Sequence, residues 1–166
     1  MQESLIIGVI GGGLIDDRMY ELAEDLGRRI AQSGARLICG GLSGVMEAAA
    51  KGAAKAGGLT IGLLPGEDAR AANPFIAVPI ATGLGIARNI LIVRTADVLI
   101  AVAGGYGTLV EIAAALNLGK PVVALETWNV PAAGQVDARL FHVARTPEEA
   151  VGLAVSLARQ RMWPPS

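Results

Sequence analysis

Short runs rich in Val, Ile and Leu alternate along this chain with longer Ala-rich stretches of helical period. Repeated alternation of this kind is typical of strand-helix-strand units built around a parallel sheet. The strand runs are apolar throughout, which indicates strands that are covered on both faces. We therefore predict an α/β sandwich of three layers, with a mostly parallel central sheet flanked by helices.

Six buried strands and five helices follow from this pattern. The strands are predicted near residues 5–10, 36–39, 59–64, 75–80, 97–102 and 121–125, and the helices near 17–33, 42–56, 84–94, 107–118 and 146–161. The fourth helix should end at Leu118, because Gly119 and Pro121 follow it and this combination stops a helix. Residues 126–136 are predicted to form a loop long enough to cover a site or a partner surface.

Composition limits the classes of partner. The 166 residues carry 14 Lys and Arg against 15 Asp and Glu, a formal net charge of −1. Because this charge creates no positive field, neither nucleic acid nor an anionic membrane is expected as a partner. A chain of this length buries enough surface to fold as one domain, 1–166, and one cysteine with one histidine makes no zinc site. No metal site is predicted.

The start of the chain and its longest apolar stretch bear on location. The first apolar run, 5–10, follows without the basic region or cleavage site of a signal peptide. The stretch 91–102 is interrupted by Arg94 and Asp97 and is too short to cross a bilayer. Since a single cysteine also suits a reducing compartment, we expect a cytoplasmic protein.

Glycines cluster directly after four of the predicted strands. They occupy positions 11–13, then 40, 41 and 44, then 83 and 85, and finally 104, 105 and 107. Because crossovers between parallel strands share one hand, the carboxyl ends of these strands should lie along one edge of the sheet. Each following helix points free N–H groups and a partial positive charge towards that edge. The pattern predicts a site for a phosphate or a carboxylate.

The run from Gly104 to Thr108 is the best candidate for a phosphate loop, since Thr108 adds a hydroxyl at the start of its helix. Any one glycine loop is explained equally well as a tight turn that needs a positive φ. Four such loops at one edge favour a binding site. Two nucleotide motifs are missing, because Asp16 stands where G-x-G-x-x-G needs its third glycine and no P-loop occurs.

Arg88 and Glu111 are the candidate chemical groups at this edge. The forked donors of an arginine can hold a ribose hydroxyl or a phosphate, and a carboxylate can bind sugar hydroxyls or stabilise an oxocarbenium ion. Structural alternatives stay open for both residues. Arg88 is also explained as a solvated or interface arginine. Glu111 is also explained as the third helical residue of a capping box that starts at Thr108.

Other catalytic constellations are incomplete. The stretch from Gly41 to Val45 lacks the second glycine of a G-x-S-x-G nucleophile elbow. His142, the single imidazole, lies in an apolar run and is predicted to be a strand residue instead of a base. Cys39 is predicted to pack as a small apolar group at the end of its strand.

Three ordered motifs resemble those of the Lonely Guy (LOG)-like Rossmann superfamily. They are Cys39-Gly40-Gly41-Leu42-Ser43-Gly44-Val45-Met46-Glu47, Gly83-Leu84-Gly85-Ile86-Ala87-Arg88-Asn89 and Ala103-Gly104-Gly105-Tyr106-Gly107-Thr108-Leu109-Val110-Glu111. The resemblance spans roughly residues 5–126 and is nearest to the branch that contains molybdenum cofactor carrier proteins. It implies a Rossmann-like subunit, a dimer or tetramer, that binds a nucleotide or other phosphorylated ligand at the glycine edge.

The glycine loops and the matched motifs together define the predicted site. Its ligand- and phosphate-binding residues are Gly12, Gly13, Gly40, Gly41, Gly44, Met46, Arg88, Asn89, Gly104, Gly105, Tyr106, Gly107, Thr108 and Glu111. In LOG enzymes a P-G-G-x-G-T-x-x-E motif and an upstream arginine support hydrolysis of the N-glycosidic bond of nucleoside 5′-monophosphates. The resemblance implies that Arg88 and Glu111 are the catalytic residues if the chain is such a hydrolase.

Two departures from the enzyme motif favour the carrier-like branch. Ala103 stands where proline is expected, and Asn89 stands where lysine commonly follows the arginine. Members of the carrier-like branch resemble binding proteins for molybdenum cofactor or related ligands that need not turn them over. We therefore predict a carrier-like protein that requires no cofactor and binds a nucleoside monophosphate or molybdenum cofactor. A LOG-type phosphoribohydrolase stays the alternative.

Overall fold

The apolar runs form strands and the Ala-rich stretches form helices in the computed structural model, which describes residues 5–130 and 137–160. The strands in this part of the chain are β1 (Ile6–Gly11), β2 (Arg36–Cys39), β3 (Thr60–Leu64), β4 (Val78–Ala81), β5 (Val98–Val102), β6 (Val122–Leu125) and β7 (Phe141–Ala144). The α-helices are α1 (Asp17–Gln32), α2 (Val45–Lys55), α3 (Arg88–Thr95), α4 (Tyr106–Asn117) and α5 (Pro147–Gln160), with short 3₁₀ turns at Ala69–Ala71 and Gly85–Ala87.

The strands pair in the order β4-β3-β2-β1-β5-β6-β7, and every pair is parallel. Alternate residues of β1 face opposite layers: Ile7 and Val9 pack with α1, α2 and α5, whereas Ile10 packs with α3 and α4. The prediction of a Rossmann-like, three-layer α/β sandwich is confirmed. The strand order reverses between β1 and β5, the place where open α/β sheets bind their ligands.

Local signals set the helix ends. The Asp16 carboxylate accepts a hydrogen bond of 2.8 Å from the N–H of Met19 and begins α1. Helix α4 ends one residue before the predicted Leu118, with Gly119 at a φ of +66°. The predicted helices 42–56 and 84–94 begin later, at Val45 and Arg88, because turns with positive φ precede them. Residues 126–130 form the predicted loop, and its remainder lies outside the described residues.

The two outer strands differ from the prediction. The fourth strand was expected over 75–80 with both faces covered, but β4 begins at Val78 and all four of its residues are exposed. It is an edge strand that pairs with β3 alone, and Pro79 suits such an edge. Strand β7 extends the sheet at the other edge, beyond the six predicted strands, and contains His142 as expected. An apolar run does not reveal how many neighbours its strand will have.

Two glycines allow α1 and α2 to pack backbone to backbone. A Cβ atom placed on Gly27 would lie 1.8 Å from the carbonyl oxygen of Ala49. On the facing helix, a Cβ on Gly52 would lie 1.8 Å from the carbonyl oxygen of Glu24. The small residues of α2 therefore serve contacts within one chain, against α1 and the sheet.

Gly27→Ala is expected to lower the free energy of unfolding by about 2 kcal/mol or more, because the backbone of α2 would have to move. Gly152→Ala is the matched control. Gly152 also lies within a helix, but no described atom lies within 4 Å of an added Cβ, so alanine should stabilise by up to about 1 kcal/mol. Urea unfolding followed by circular dichroism measures both changes, and equal values would contradict the close contact.

Candidate ligand-binding site

A cavity of about 410 Å³ lies at the carboxyl edge of the sheet, where the strand order reverses. Loops after several strands and the first turns of α3 and α4 line it together. The lining residues are Val9, Ile10, Gly11, Gly12, Gly13, Gly40, Met46, Pro65, Gly85, Ile86, Arg88, Asn89, Gly105, Gly107, Thr108 and Glu111. The four glycine clusters therefore converge on one place, as the sequence predicted.

Most of the predicted site residues line this cavity. They are Gly12, Gly13, Gly40, Met46, Arg88, Asn89, Gly105, Gly107, Thr108 and Glu111. Gly41, Gly44, Gly104 and Tyr106 lie outside its lining. The three glycines have φ values of +74°, +69° and +91°, and a Cβ on each would overlap a neighbouring atom, so they shape the turns. Tyr106 is 80% exposed and stacks on the ring of Trp128.

Six lining residues are not among the predicted site residues: Val9, Ile10, Gly11, Pro65, Gly85 and Ile86. Pro65 directly follows β3 at the same edge, so its position after a strand is an available signal. Gly85 and Ile86 both belong to the motif that contains Arg88 and Asn89, and Gly85 also belongs to the glycine cluster after the fourth strand. Ile86 is 76% exposed and carries no polar group that would mark it within that motif.

The start of α4 provides backbone donors to the cavity. Gly105 is its N-cap residue, and no side chain in the described part of the chain caps this helix. The first turn of a helix has N–H groups without intrahelical partners and carries a partial positive charge. Because Gly105, Gly107 and Thr108 line the cavity, this helix start is suited to a phosphate or another anion.

The capping-box explanation of Glu111 is wrong. Helix α4 begins at Tyr106, so Thr108 is already inside the helix and cannot be its cap. The extended backbone of Gly105 ends the loop three residues before Thr108. Glu111 consequently lies in the second turn, buried at the cavity wall with an exposed fraction of 6%.

Arg88 is buried instead of solvated, with an exposed fraction of only 8%. Its Nη1 donates a hydrogen bond of 2.6 Å to the Oδ1 of Asn89. The guanidinium lies against Gly40, where a Cβ would come within 2.5 Å of Nη1, so a larger residue at position 40 would displace the side chain of Arg88. The buried Nε of Arg88 has no hydrogen-bond partner among the described residues. Such a donor costs free energy until an acceptor reaches it.

The electrostatics of Arg88 and Glu111 are linked. Burial raises the pKa of Glu111 to about 7, and the positive charge of Arg88 opposes this rise. Burial also lowers the pKa of Arg88, but a guanidinium remains protonated at any physiological pH. The cavity therefore holds a permanent cation beside a carboxyl group that is about half protonated near neutral pH. Such a carboxyl group can both donate and accept a hydrogen bond or a proton.

The remaining candidate groups do not form a site in the described part of the chain. Cys39 packs in the core as predicted, and burial raises the pKa of its thiol to about 11. Residues 5–130 and 137–160 contain no group of three His, Cys, Asp or Glu side chains able to hold a metal ion. Among the helices described, none is both long and apolar enough to cross a membrane.

The parallel sheet and its cavity at the reversal point define a Rossmann-like α/β protein with a ligand-sized site. More specifically, the chain belongs to the SLOG cluster4 family, whose model matches residues 4–151. The resemblance to the LOG-like superfamily is thereby confirmed.

Two solved structures are similar to this chain over nearly its whole length. The molybdenum cofactor binding protein from Rippkaea orientalis matches with a TM-score of 0.87 and 38% identity, covering 95% of this chain and 99% of that one. The molybdenum cofactor carrier protein from Chlamydomonas reinhardtii matches with a TM-score of 0.86 and 41% identity, with the same coverage of 95% and 99%. These neighbours agree with the predicted carrier-like branch.

A third relative is an enzyme that matches over a shorter stretch. The cytokinin riboside 5′-monophosphate phosphoribohydrolase of Rhodococcoides fascians is 34% identical over 102 residues. The match covers 55% of this chain and 48% of the enzyme.

In wild type the free energy of unfolding is expected to fall as the pH rises, because Glu111 loses its proton. Glu111→Gln is expected to remove this fall. The folded protein binds the Glu111 proton more tightly than the unfolded chain, because folding raises this pKa from 4.5 to about 7. The stabilisation is therefore complete below about pH 4.5 and is lost as the pH rises through 7, a fall of roughly 3 kcal/mol. Urea unfolding of both proteins at several pH values between about 5 and 8 measures it. An equal fall in the glutamine variant would refute the buried, protonated carboxyl group.

Proposed function

We propose that this protein is a cytoplasmic carrier that binds a phosphorylated ligand in the cavity without turning it over, with molybdenum cofactor as the candidate cargo. The observation that carries the proposal is the meeting of two anion-binding groups in one cavity, the uncapped start of α4 and the buried Arg88. Backbone N–H groups and a guanidinium fork are the donors that proteins use for phosphates. The similar carrier and binding proteins support the choice of cargo.

The cavity also suits the rest of such a ligand. Its volume of about 410 Å³ falls within the range of about 300–1,000 Å³ found for small-molecule pockets. Met46 and Ile86 provide apolar wall, and Glu111 provides a group that can donate or accept a hydrogen bond. An apolar wall with few polar groups fits a heterocyclic ring next to a phosphate.

The backbone of Ala103 supports binding without turnover. Its φ is +49°, whereas the ring of proline holds φ near −65°. The proline of the enzyme motif therefore cannot adopt the conformation of Ala103. Asn89 stands at the position where the enzymes commonly have lysine, and here it accepts a hydrogen bond from Arg88. The loop at Ala103 therefore has a backbone that proline could not adopt, and Arg88 has a hydrogen-bond acceptor that a lysine at position 89 could not supply.

A LOG-type phosphoribohydrolase is the second candidate function. The observation in its favour is that Arg88 and Glu111 line the same cavity, with the pKa of Glu111 at about 7. In this reaction Arg88 would orient a nucleoside 5′-monophosphate, and the carboxylate of Glu111 would stabilise the sugar cation as the N-glycosidic bond breaks. Water would add to this cation to give ribose 5-phosphate, and the base would leave with the bonding electrons and take up the proton that the water releases. The match to a phosphoribohydrolase supports this alternative.

Thermal unfolding and product analysis separate the two functions. Molybdenum cofactor or AMP should raise the apparent Tm, since a ligand at about 100 times its Kd stabilises by about 2.7 kcal/mol. No free base should be released from AMP or cytokinin monophosphates. Arg88→Ala should weaken binding at least about tenfold, as expected for a lost charged hydrogen bond. Arg94→Ala is the matched control, because Arg94 is an exposed arginine on the same helix.

Two other outcomes would contradict the carrier function. Release of adenine that Glu111→Gln abolishes would assign the hydrolase function instead of the carrier function. A Tm that neither molybdenum cofactor nor any phosphate-containing ligand changes would contradict both.

We also propose that the protein is a homo-oligomer, a dimer or a tetramer. Large apolar side chains are exposed on and beside the edge strand β4, where Ile80 is 43%, Leu84 52% and Ile86 76% exposed. A group of exposed apolar side chains is typical of a protein interface. Light scattering after size exclusion should give a multiple of the 17.0 kDa chain mass, and Ile80→Glu should lower it. A wild-type mass of one chain would disprove the proposal.

A further inference from the structure

The loop after β6 is tied to the loop before α4 by three hydrogen bonds. The N–H of Ala103 donates to the carbonyl of Glu126 at 3.2 Å, and the hydroxyl of Thr127 donates back to the carbonyl of Ala103. The indole N–H of Trp128 donates to the carbonyl of Gly105 at 3.1 Å. These contacts join residues more than twenty positions apart in the sequence and are not part of the LOG-like motifs.

Both ends of this connection have unusual backbone conformations. Ala103 and Glu126 have φ values of +49° and +52°, the only such values at non-glycine residues in the described structure. Residues keep these conformations only where their surroundings hold them. Glu126 is itself held by Arg18 of α1, whose guanidinium donates two hydrogen bonds to the carboxylate, the Nη1–Oε1 distance being 3.0 Å. A chain of contacts thus leads from α1 to the start of α4.

The bonded carbonyls fix the loop that leads into α4. The carbonyls of Ala103 and Gly105 face Thr127 and Trp128, and the carbonyl of Gly105 also accepts a hydrogen bond of 3.1 Å from the N–H of Leu109 in α4. The helix start that follows this loop lines the cavity through Gly105, Gly107 and Thr108. Trp128 also stacks on Tyr106 with a centroid separation of 5.9 Å, which limits rotation of the helix start.

We propose that Thr127 and Trp128 are positioning residues that hold the loop 103–105, and with it the start of α4, in place for the phosphate of the ligand. They line no part of the cavity and act through the carbonyls of Ala103 and Gly105. This inference rests on the proposed function, in which the start of α4 holds a phosphate. It adds the loop after β6 to the determinants of that site.

Three variants test the positioning role in the full-length protein. Thr127→Val removes the hydroxyl donor and keeps the side-chain shape, whereas Thr127→Ser keeps the donor. Trp128→Phe removes the N–H and keeps a ring for Tyr106. Amide hydrogen exchange without ligand should become about tenfold faster at Ala103 in the valine variant and at Leu109 in the phenylalanine variant, because the acceptors of these two N–H groups would be held less firmly. Exchange within β1 should be unchanged, and the serine variant should behave as wild type.

The second measurement is binding of AMP and of inorganic phosphate by titration calorimetry. Both probes should bind about five- to tenfold more weakly to Thr127→Val and Trp128→Phe than to wild type, and Thr127→Ser should restore the affinity. Unchanged exchange at Ala103 and Leu109, or unchanged affinity in both variants, overturns the positioning role. If wild type binds neither probe and no other phosphorylated ligand, the proposed function fails, and the exchange measurement still decides whether the loop is held.

Discussion

The parallel pairing of β1 with β5 is the constraint on which the cavity depends. Gly11 pairs with Val102 in this register, so the loops that follow the two strands leave the sheet side by side. A Cβ on Gly11 would lie 2.4 Å from the carbonyl oxygen of Val102, and one on Gly12 would lie 3.4 Å from the Cα of Gly104. A side chain at position 11 would therefore collide with the backbone of β5, whereas a Cβ on Gly12 would lie at ordinary contact distance from the loop of Gly104. The close contact brings the start of α4 to the point where the strand order reverses.

In our proposal, the two charged groups of the cavity, Arg88 and Glu111, prepare it for a ligand. Arg88 and Glu111 are both buried, and the Nε of Arg88 has no partner among the described residues. Burial of such groups costs free energy in the unliganded protein. A phosphate would accept the hydrogen bonds that Arg88 cannot make, and the protonated form of Glu111 would avoid repelling it. The loop after β6 adds rigidity, because Thr127 and Trp128 hold the loop that leads into α4, the helix start that binds the phosphate in our proposal.

Several parts of this arrangement could be predicted without coordinates. The alternation of apolar and Ala-rich runs predicts the sandwich, and the glycines after four strands predict where the loops meet. Arg88 and Glu111 were identified from motifs. Other parts depend on contacts between distant residues. Whether Glu111 capped its own helix depended on where α4 begins, and the loop at Gly105 decides that.

The sequence by itself determined the layers of the fold, the edge at which the cavity lies and most of the residues that line it, because strand and helix periodicity and glycine turns are local properties. Tertiary structure decided how deeply Arg88 and Glu111 are buried, that β4 is an exposed edge and that Trp128 supports the start of α4. Burial, pKa values and long-range hydrogen bonds depend on which distant segments meet, and that is established only when the whole chain packs.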